Sequence, residues 1–390
     1  NEEIAAGGKV DIDAMGVTTI AEAGDITAGG AVTFGANKSG TLTTAGEIDT
    51  SKDNITFTRA VTLGGAVDID TGRGAGDILF SSKVATGGHD LTLDAGRLGN
   101  ITAASSITGG GALTVVDGSV QQYSGAIDVA SLDIQDATTS VTLDGAVTTQ
   151  TTVDINSGGT LTQNAKVDAG TTLDYDSAGA LNINEEIAAT GTLDIDATGV
   201  TTVAEAGDIT AGGAVTFGAN KSGTLTTAGE ITTTDDDVTF TNAVTQSGDV
   251  EIDTGSSGDI RFSSTVATGD NDLQLDAGSA GNITAASSIT GGGAMTVIDG
   301  SVQQYSGAIS VDSLDIQDAT SSVTLDGAVT TQTTVDINSG GSLTQNASVN
   351  AGSALDYDAA TIGINNSIGA GSTLDIDATG VTTVAEAGDI

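Results

Sequence analysis

Apolar and polar side chains alternate in short runs along the whole chain. The runs read VDID from Val10, VTF from Val32, ITF from Ile55, VDID from Val67 and LTLD from Leu91, then LTV from Leu113, LDI from Leu132, VDI from Val153, LDY from Leu173 and LDID from Leu193. A period of two sends Val10 and Ile12 to one face of a strand and Asp11 and Asp13 to the other. The runs start at near-even spacing with one exception, the step from Ile55 to Val67, which is about half the others and marks either an irregular coil near Ile55 or a wrong division into strands there. Further alternating strands fill the intervals, as in GDILF from Gly76 and TLTQNA from Thr160. Helical periodicity is absent, and stretches such as AEAGDITAGG carry too much Gly for a helix. One such unit cannot bury its apolar face alone, whereas stacked units share a continuous core and pair their strand edges. The expected fold is therefore all-β: a right-handed parallel β-helix, or β-solenoid, with about 20 residues per coil. At ~4.8 Å per coil, about 19 coils would make a rod on the order of 90 Å long.

A longer period lies over the short one. The segment opening NEEIAAGGKVDIDAMGVTTIAEAGDITAGG at residue 1 returns as NEEIAATGTLDIDATGVTTVAEAGDITAGG at Asn184, and a third copy opens at Asn366 and runs to Ile390. The offset that matches Asp70 to Asp253 falls by one where Asp77 matches Asp259, because TGRGAGDI shortens to TGSSGDI. Residues 1–183, 184–365 and 366–390 are thus read as two superrepeats and the start of a third within one continuous solenoid. The six Phe match in pairs (Phe34 with Phe217, Phe57 with Phe240, Phe80 with Phe262), as do the four Tyr (Tyr123 with Tyr305, Tyr175 with Tyr357). Charges drift instead: eight of the ten Lys and Arg precede Asn184, and among them only Lys38 has a basic counterpart, Lys221. Large apolar groups held while charges vary is the expected behaviour of a core beneath a wetted surface.

Composition agrees with uninterrupted sheet. There are 56 Gly and no Pro, Cys or Trp; Pro would remove ladder donors, and Gly supplies turns. Without Cys there is neither a disulfide framework nor a cysteine metal site. No apolar run approaches the ~20 residues of a membrane helix, and the start of the chain has no signal-peptide pattern. Segments such as GDILFSSKVATGGHDLTLDAG (Gly76–Gly96) and GNITAASSITGGGALTVVDG (Gly99–Gly118) resemble the repeats of large bacterial surface adhesins of the filamentous-haemagglutinin-like and autotransporter type. The resemblance covers essentially the whole chain and implies a β-helical fibre at the cell surface or outside the cell. It identifies no receptor: Arg73-Gly74 is followed by Ala75, so an integrin-type RGD is missing.

Ten basic against 52 acidic side chains give a formal charge of −42. Spread over such a rod, this approaches the linear charge density of duplex DNA, which disfavours nucleic acid and anionic membrane as partners and favours cations. The carboxylates recur at coil spacing. Asp133, Asp154, Asp174 and Asp194 occupy matching outward positions, and Asp315, Asp336, Asp356 and Asp375 repeat the series. Neighbouring carboxylates at ~4.8 Å repel by about 0.9 kcal/mol in water. They therefore form a solvated acidic face or share hard cations, and these eight residues are the candidate Ca²⁺ ligands, with Asn156, Asp176 and Asp196 beside them. Neither a GGxGxDxUx array nor an EF-hand loop is present, and no other cofactor is expected.

β-Helices also carry polysaccharide lyases and hydrolases, which need convergent acids, bases or an Arg. Here His89, the sole histidine, becomes Asn271 in the second copy; Arg59 and Arg261 also lack basic counterparts, and ITGGGAL has no P-loop Lys. Threonines do not recur at every coil as an ice-binding array requires, and Tyr123 and Tyr305 in QQYSG suit packing at a coil end better than sugar binding. The expected function is a non-enzymatic, extracellular structural or adhesive fibre segment. The alternatives are a self-assembling subunit of a sheath or matrix filament, by head-to-tail continuation of the same array, and a β-helical polysaccharide-active enzyme.

Overall fold

A computed structural model describes residues 2–35 and 40–390; Lys38 lies outside the described residues. Among them the chain forms 49 strands and no helix, so no helix is long and apolar enough to cross a membrane. The fold is a parallel β-solenoid of roughly 20 residues per turn. Two compact units form, Asn1–Thr190 with Ala197–Gly199, and Gly191–Asp196 with Val200–Ile390.

In the first unit each coil has three faces. The first carries Ile4–Ala6, Ile26–Ala28 and Ile48–Thr50, and continues through Val67–Asp70 and Leu91–Asp94 to Leu173–Ser177. The second carries Val10–Ile12, Val32–Phe34, Ile55–Phe57, Ile78–Phe80 and Ile101–Ala103. The third begins at Val17–Ile20 and Thr41–Thr44 and ends at Ile187–Ala189. Coil length along the first face is not constant: the step from Leu113 to Leu132 is the shortest and that from Val67 to Leu91 the longest.

This topology corrects the reading of the short interval between Ile55 and Val67. Ile55 pairs with Val32 and Ile78 on the second face, whereas Val67 pairs with Leu91 on the first. The interval is a step around one coil, not a short coil. The topology also changes the meaning of the superrepeat. Ile4 lies on the first face of this unit, but Ile187, its counterpart in the second copy, lies on the third. A copy is therefore not a whole number of coils. The same sequence fits either face because each asks for the same thing, a short alternating strand with its apolar side inward.

Burial follows the alternation. In Val153–Ser157 the inward Val153, Ile155 and Ser157 are buried while Asp154 and Asn156 are exposed. Identical side chains fall over one another from coil to coil. Phe34, Phe57 and Phe80 stack with ring centroids 5.0 and 4.7 Å apart and planes within 7° of parallel. The second unit repeats this stack with Phe217, Phe240 and Phe262 at 5.2 and 4.8 Å, on strands in register from Val215, Val238 and Ile260. The pairing of Phe residues between copies thus reflects a shared packing column. Two of the buried tyrosines find an internal partner: the Tyr123 hydroxyl donates to Gln121 Oε1 at 3.0 Å, and Tyr305 to Gln303 likewise at 3.0 Å.

Candidate functional site

The predicted carboxylate series is a real ladder within each unit. Asp133, Asp154 and Asp174 are direct register partners in the first unit. Asp315, Asp336, Asp356 and Asp375 are register partners in the second. Asp194 lies in the second unit, where its register partner is Thr216. A second column runs beside the first, through Asn156 and Asp176 in one unit and through Asn338, Asp358 and Asp377 in the other.

Stacking at strand spacing has an electrostatic consequence. Although its side chain reaches solvent, partial desolvation against the adjoining coils raises the Asp154 pKa, and the Asp133 and Asp176 carboxylates raise it further. Burial does the same at Asp336, helped by Asp315, Asp356 and Asp358, and at Asp356, helped by Asp358, Asp375 and Asp377. Asp49 is pushed up to about 6, by burial first and by Glu47, Asp70, Asp68 and Asp25 next. Two members are held by neighbours: Gln135 Nε2 donates to Asp133 Oδ2 at 2.9 Å, and Gln317 Nε2 to Asp315 Oδ2 at 3.1 Å. Within each column the residues stand one per coil. Among the described residues no three Asp, Glu or His side chains gather into a group able to hold a metal ion. A Ca²⁺ ion seeking six to eight oxygens is offered a line rather than a cage. A groove of about 560 Å³ lies over the second ladder, lined by Asn338, Asp358 and Asp377 with small residues between them.

A second carboxylate role was not anticipated. Asp77 Oδ1 accepts from both the backbone N and Nδ2 of Asn100, each at 2.9 Å, one coil further on. Asn282 makes the same pair of bonds to Asp259 Oδ1, each at 2.8 Å. Asp25, Asp90, Asp208, Asp249 and Asp272 likewise accept a backbone N–H from the following coil. At a coil corner the backbone leaves one ladder before joining the next, so its N–H needs an acceptor. The carboxylate below supplies it. The signal was present in the sequence as Asp or Asn placed directly before or one residue before a strand, in GDI, GNI and HDL.

A third set of aspartates closes turns. The N–H groups of Gly72, Gly96, Gly255 and Gly278 donate to Asp70, Asp94, Asp253 and Asp276 two residues earlier. Those glycines hold φ of 71°, 62°, 70° and 61°, the left-handed region open to Gly at little cost.

Arg59 is buried, only 4% exposed. Its Nη2 donates to Ile12 O at 2.9 Å and lies 3.6 Å from Asp13, while Nη1 reaches Thr18 Oγ1 at 3.3 Å. In the second copy Asn242 takes its place and donates to Lys221 O at 3.0 Å. This cation braces the core rather than facing a ligand. No protein-family model, curated protein or solved structure matches the chain.

Proposed function

We infer that the chain is a non-enzymatic structural segment, an acidic β-solenoid that serves as a spacer or stalk in a fibrous extracellular surface protein. One observation carries this reading. The two copies keep the packing column of Phe and the Tyr–Gln pairs, while side chains suited to chemistry are exchanged: His89 for Asn271, Arg59 for Asn242, Arg73 for Ser256. A catalytic centre would require its acid, base and orienting groups to be held together. A spacer needs only its core held. The adhesin-like repeat pattern supports the extracellular setting, and cations gather diffusely along the single-file ladders.

Electron microscopy of the natural material tests the reading: uniform narrow rods are expected. Incubation with acidic polysaccharides and a reducing-end assay tests the polysaccharide-active alternative. No new reducing ends are expected, and their release would overturn the structural assignment.

A further inference from the structure

The two copies treat one buried aspartate differently. Asp13 and Asp196 hold equivalent positions, as do Ile12 and Ile195, Thr18 and Thr201, and Arg59 and Asn242. In the first copy Arg59 Nη2 serves two oxygens, donating to Ile12 O at 2.9 Å and standing 3.6 Å from Asp13 Oδ1, while Nη1 reaches Thr18 Oγ1 at 3.3 Å. The second copy keeps the oxygens and drops the arginine. Asp196 is fully buried; its Oδ2 accepts the Asn220 backbone N–H at 3.0 Å, and its Oδ1 has no hydrogen-bond partner. Among the described residues no Lys, Arg or His forms an ion pair with Asp196.

Asn242 does not stand in for the guanidinium. A Cβ built on Gly35 would meet Arg59 Nε, and one built on Gly218 would meet Asn242 Nδ2, so the amide nitrogen holds the place of Nε and the side chain ends there. Nδ2 donates to Lys221 O at 3.0 Å, not to Asp196. The neighbouring carbonyl records the same loss. A backbone oxygen has two lone pairs. Ile12 O accepts from both Gly35 N and Arg59, whereas Ile195 O accepts from Gly218 N at 3.0 Å and has no arginine beside it. An ionised carboxylate taken out of water without a counter-charge is among the costliest groups a fold can hold.

We propose that an alkali-metal cation, sodium or potassium, binds in the second copy where the first copy places the Arg59 guanidinium. Asp196 Oδ1 is its anionic ligand, and Ile195 O and Thr201 Oγ1 are neutral ones, Thr201 being buried as well. The donors are all hard oxygens, a set that suits neither thiophilic nor imidazole-seeking metals. Charge then selects among the hard ions. One buried carboxylate is neutralised by one monovalent ion, whereas Ca²⁺ would leave an uncompensated positive charge inside the coil. Among the described residues no three acidic or histidine side chains gather to hold a divalent ion. This ion is a fixed part of one coil, distinct from the diffuse counter-ions of the ladders, and the spacer reading stands or falls without it.

Amide hydrogen exchange in Leu193–Ala197 of the whole chain, compared between NaCl, KCl and tetramethylammonium chloride at equal ionic strength, tests the proposal. Sodium or potassium is expected to slow exchange there by the factor 1 + [salt]/Kd, about tenfold at a concentration of about ten times Kd. Tetramethylammonium, too bulky to enter, leaves it unchanged. Val10–Ile12, the equivalent strand braced by Arg59, is the control within the same molecule and is expected to show no preference among the salts. N242R restores the arginine that the first copy carries at this position, and D196N removes the anionic ligand. Both variants are expected to lose the salt preference at Leu193–Ala197 while keeping the circular dichroism of the parent. Equal protection in all three salts would overturn the proposal, as would a preference that survives in N242R or in D196N. Protection by micromolar calcium but not by alkali ions would also overturn it, by naming a divalent occupant.

Discussion

Phe57 is the middle ring of a three-ring stack, fully buried, with one neighbour at 5.0 Å and the other at 4.7 Å. Its flanking partners each have one ring neighbour only, since Phe34 is followed in register by Ile12 on the other side and Phe80 by Ala103. Replacement by Leu keeps most of the apolar volume and removes the ring–ring contacts, each worth ~0.5–1.5 kcal/mol beyond area. Phe57→Leu is therefore expected to cost ~1–3 kcal/mol, and Phe34→Leu about half as much. A solenoid unfolds in pieces, so one global unfolding energy is the wrong readout. Amide hydrogen exchange in Ile55–Phe57 and in the strands above and below reads the local opening energy directly. A double-mutant cycle between Phe34 and Phe57 should return ~0.5–1.5 kcal/mol of coupling. Equal losses for Phe34→Leu and Phe57→Leu, with no coupling, would refute the stacked-column account.

Other consequences are open to measurement. Val153→Asp places a carboxylate in a site 1% exposed, and protection should collapse in its own coil and both neighbours; melting like the parent would refute the inward assignment. Asp49 and the ladder aspartates Asp154 and Asp336 bind protons more tightly folded than unfolded, so their contribution to stability is greatest below the ordinary value of 3.8 and is lost as pH rises, through about 6 at Asp49. A higher melting temperature at pH 5 than at pH 7.5 is expected, and the opposite order would refute the repulsion. Asp259→Ala removes the acceptor of two bonds from Asn282 and should cost ~1–3 kcal/mol in local exchange at that corner, while an unchanged rate would sink the capping role. Calcium titration by calorimetry should show weak, unsaturating uptake, and a sharp stoichiometric isotherm would contradict single-file ladders.

Strand type, parallel stacking and the identity of the core residues were legible because period-two alternation and burial are the same signal. Which face a strand occupies was not legible. All three faces use the same short alternating strand, so Val67 read as the successor of Ile55 when it lies on a different face, two strands further along the chain. Spacing located the ladder residues wherever coil length held steady, and the register joins Asp154 to Asp174 and Asp336 to Asp356 as that spacing implied. The corner caps escaped notice because their partners lie a coil away. An aspartate beside a turn reads in sequence as surface charge, although Asp77 and Asp259 are structural acceptors.

Those caps have a consequence for how such a chain can change over generations. Each corner aspartate receives the N–H of the coil ahead of it, and the next coil carries an equivalent acceptor for its own successor, as Asn54, Asp77 and Asn100 do in turn. Every coil is thus at once guest and host through the same chemistry. Recombination that inserts or deletes whole coils rejoins surfaces that already fit, with no new interface to invent. Length becomes a heritable quantity that a gene can adjust in uniform steps.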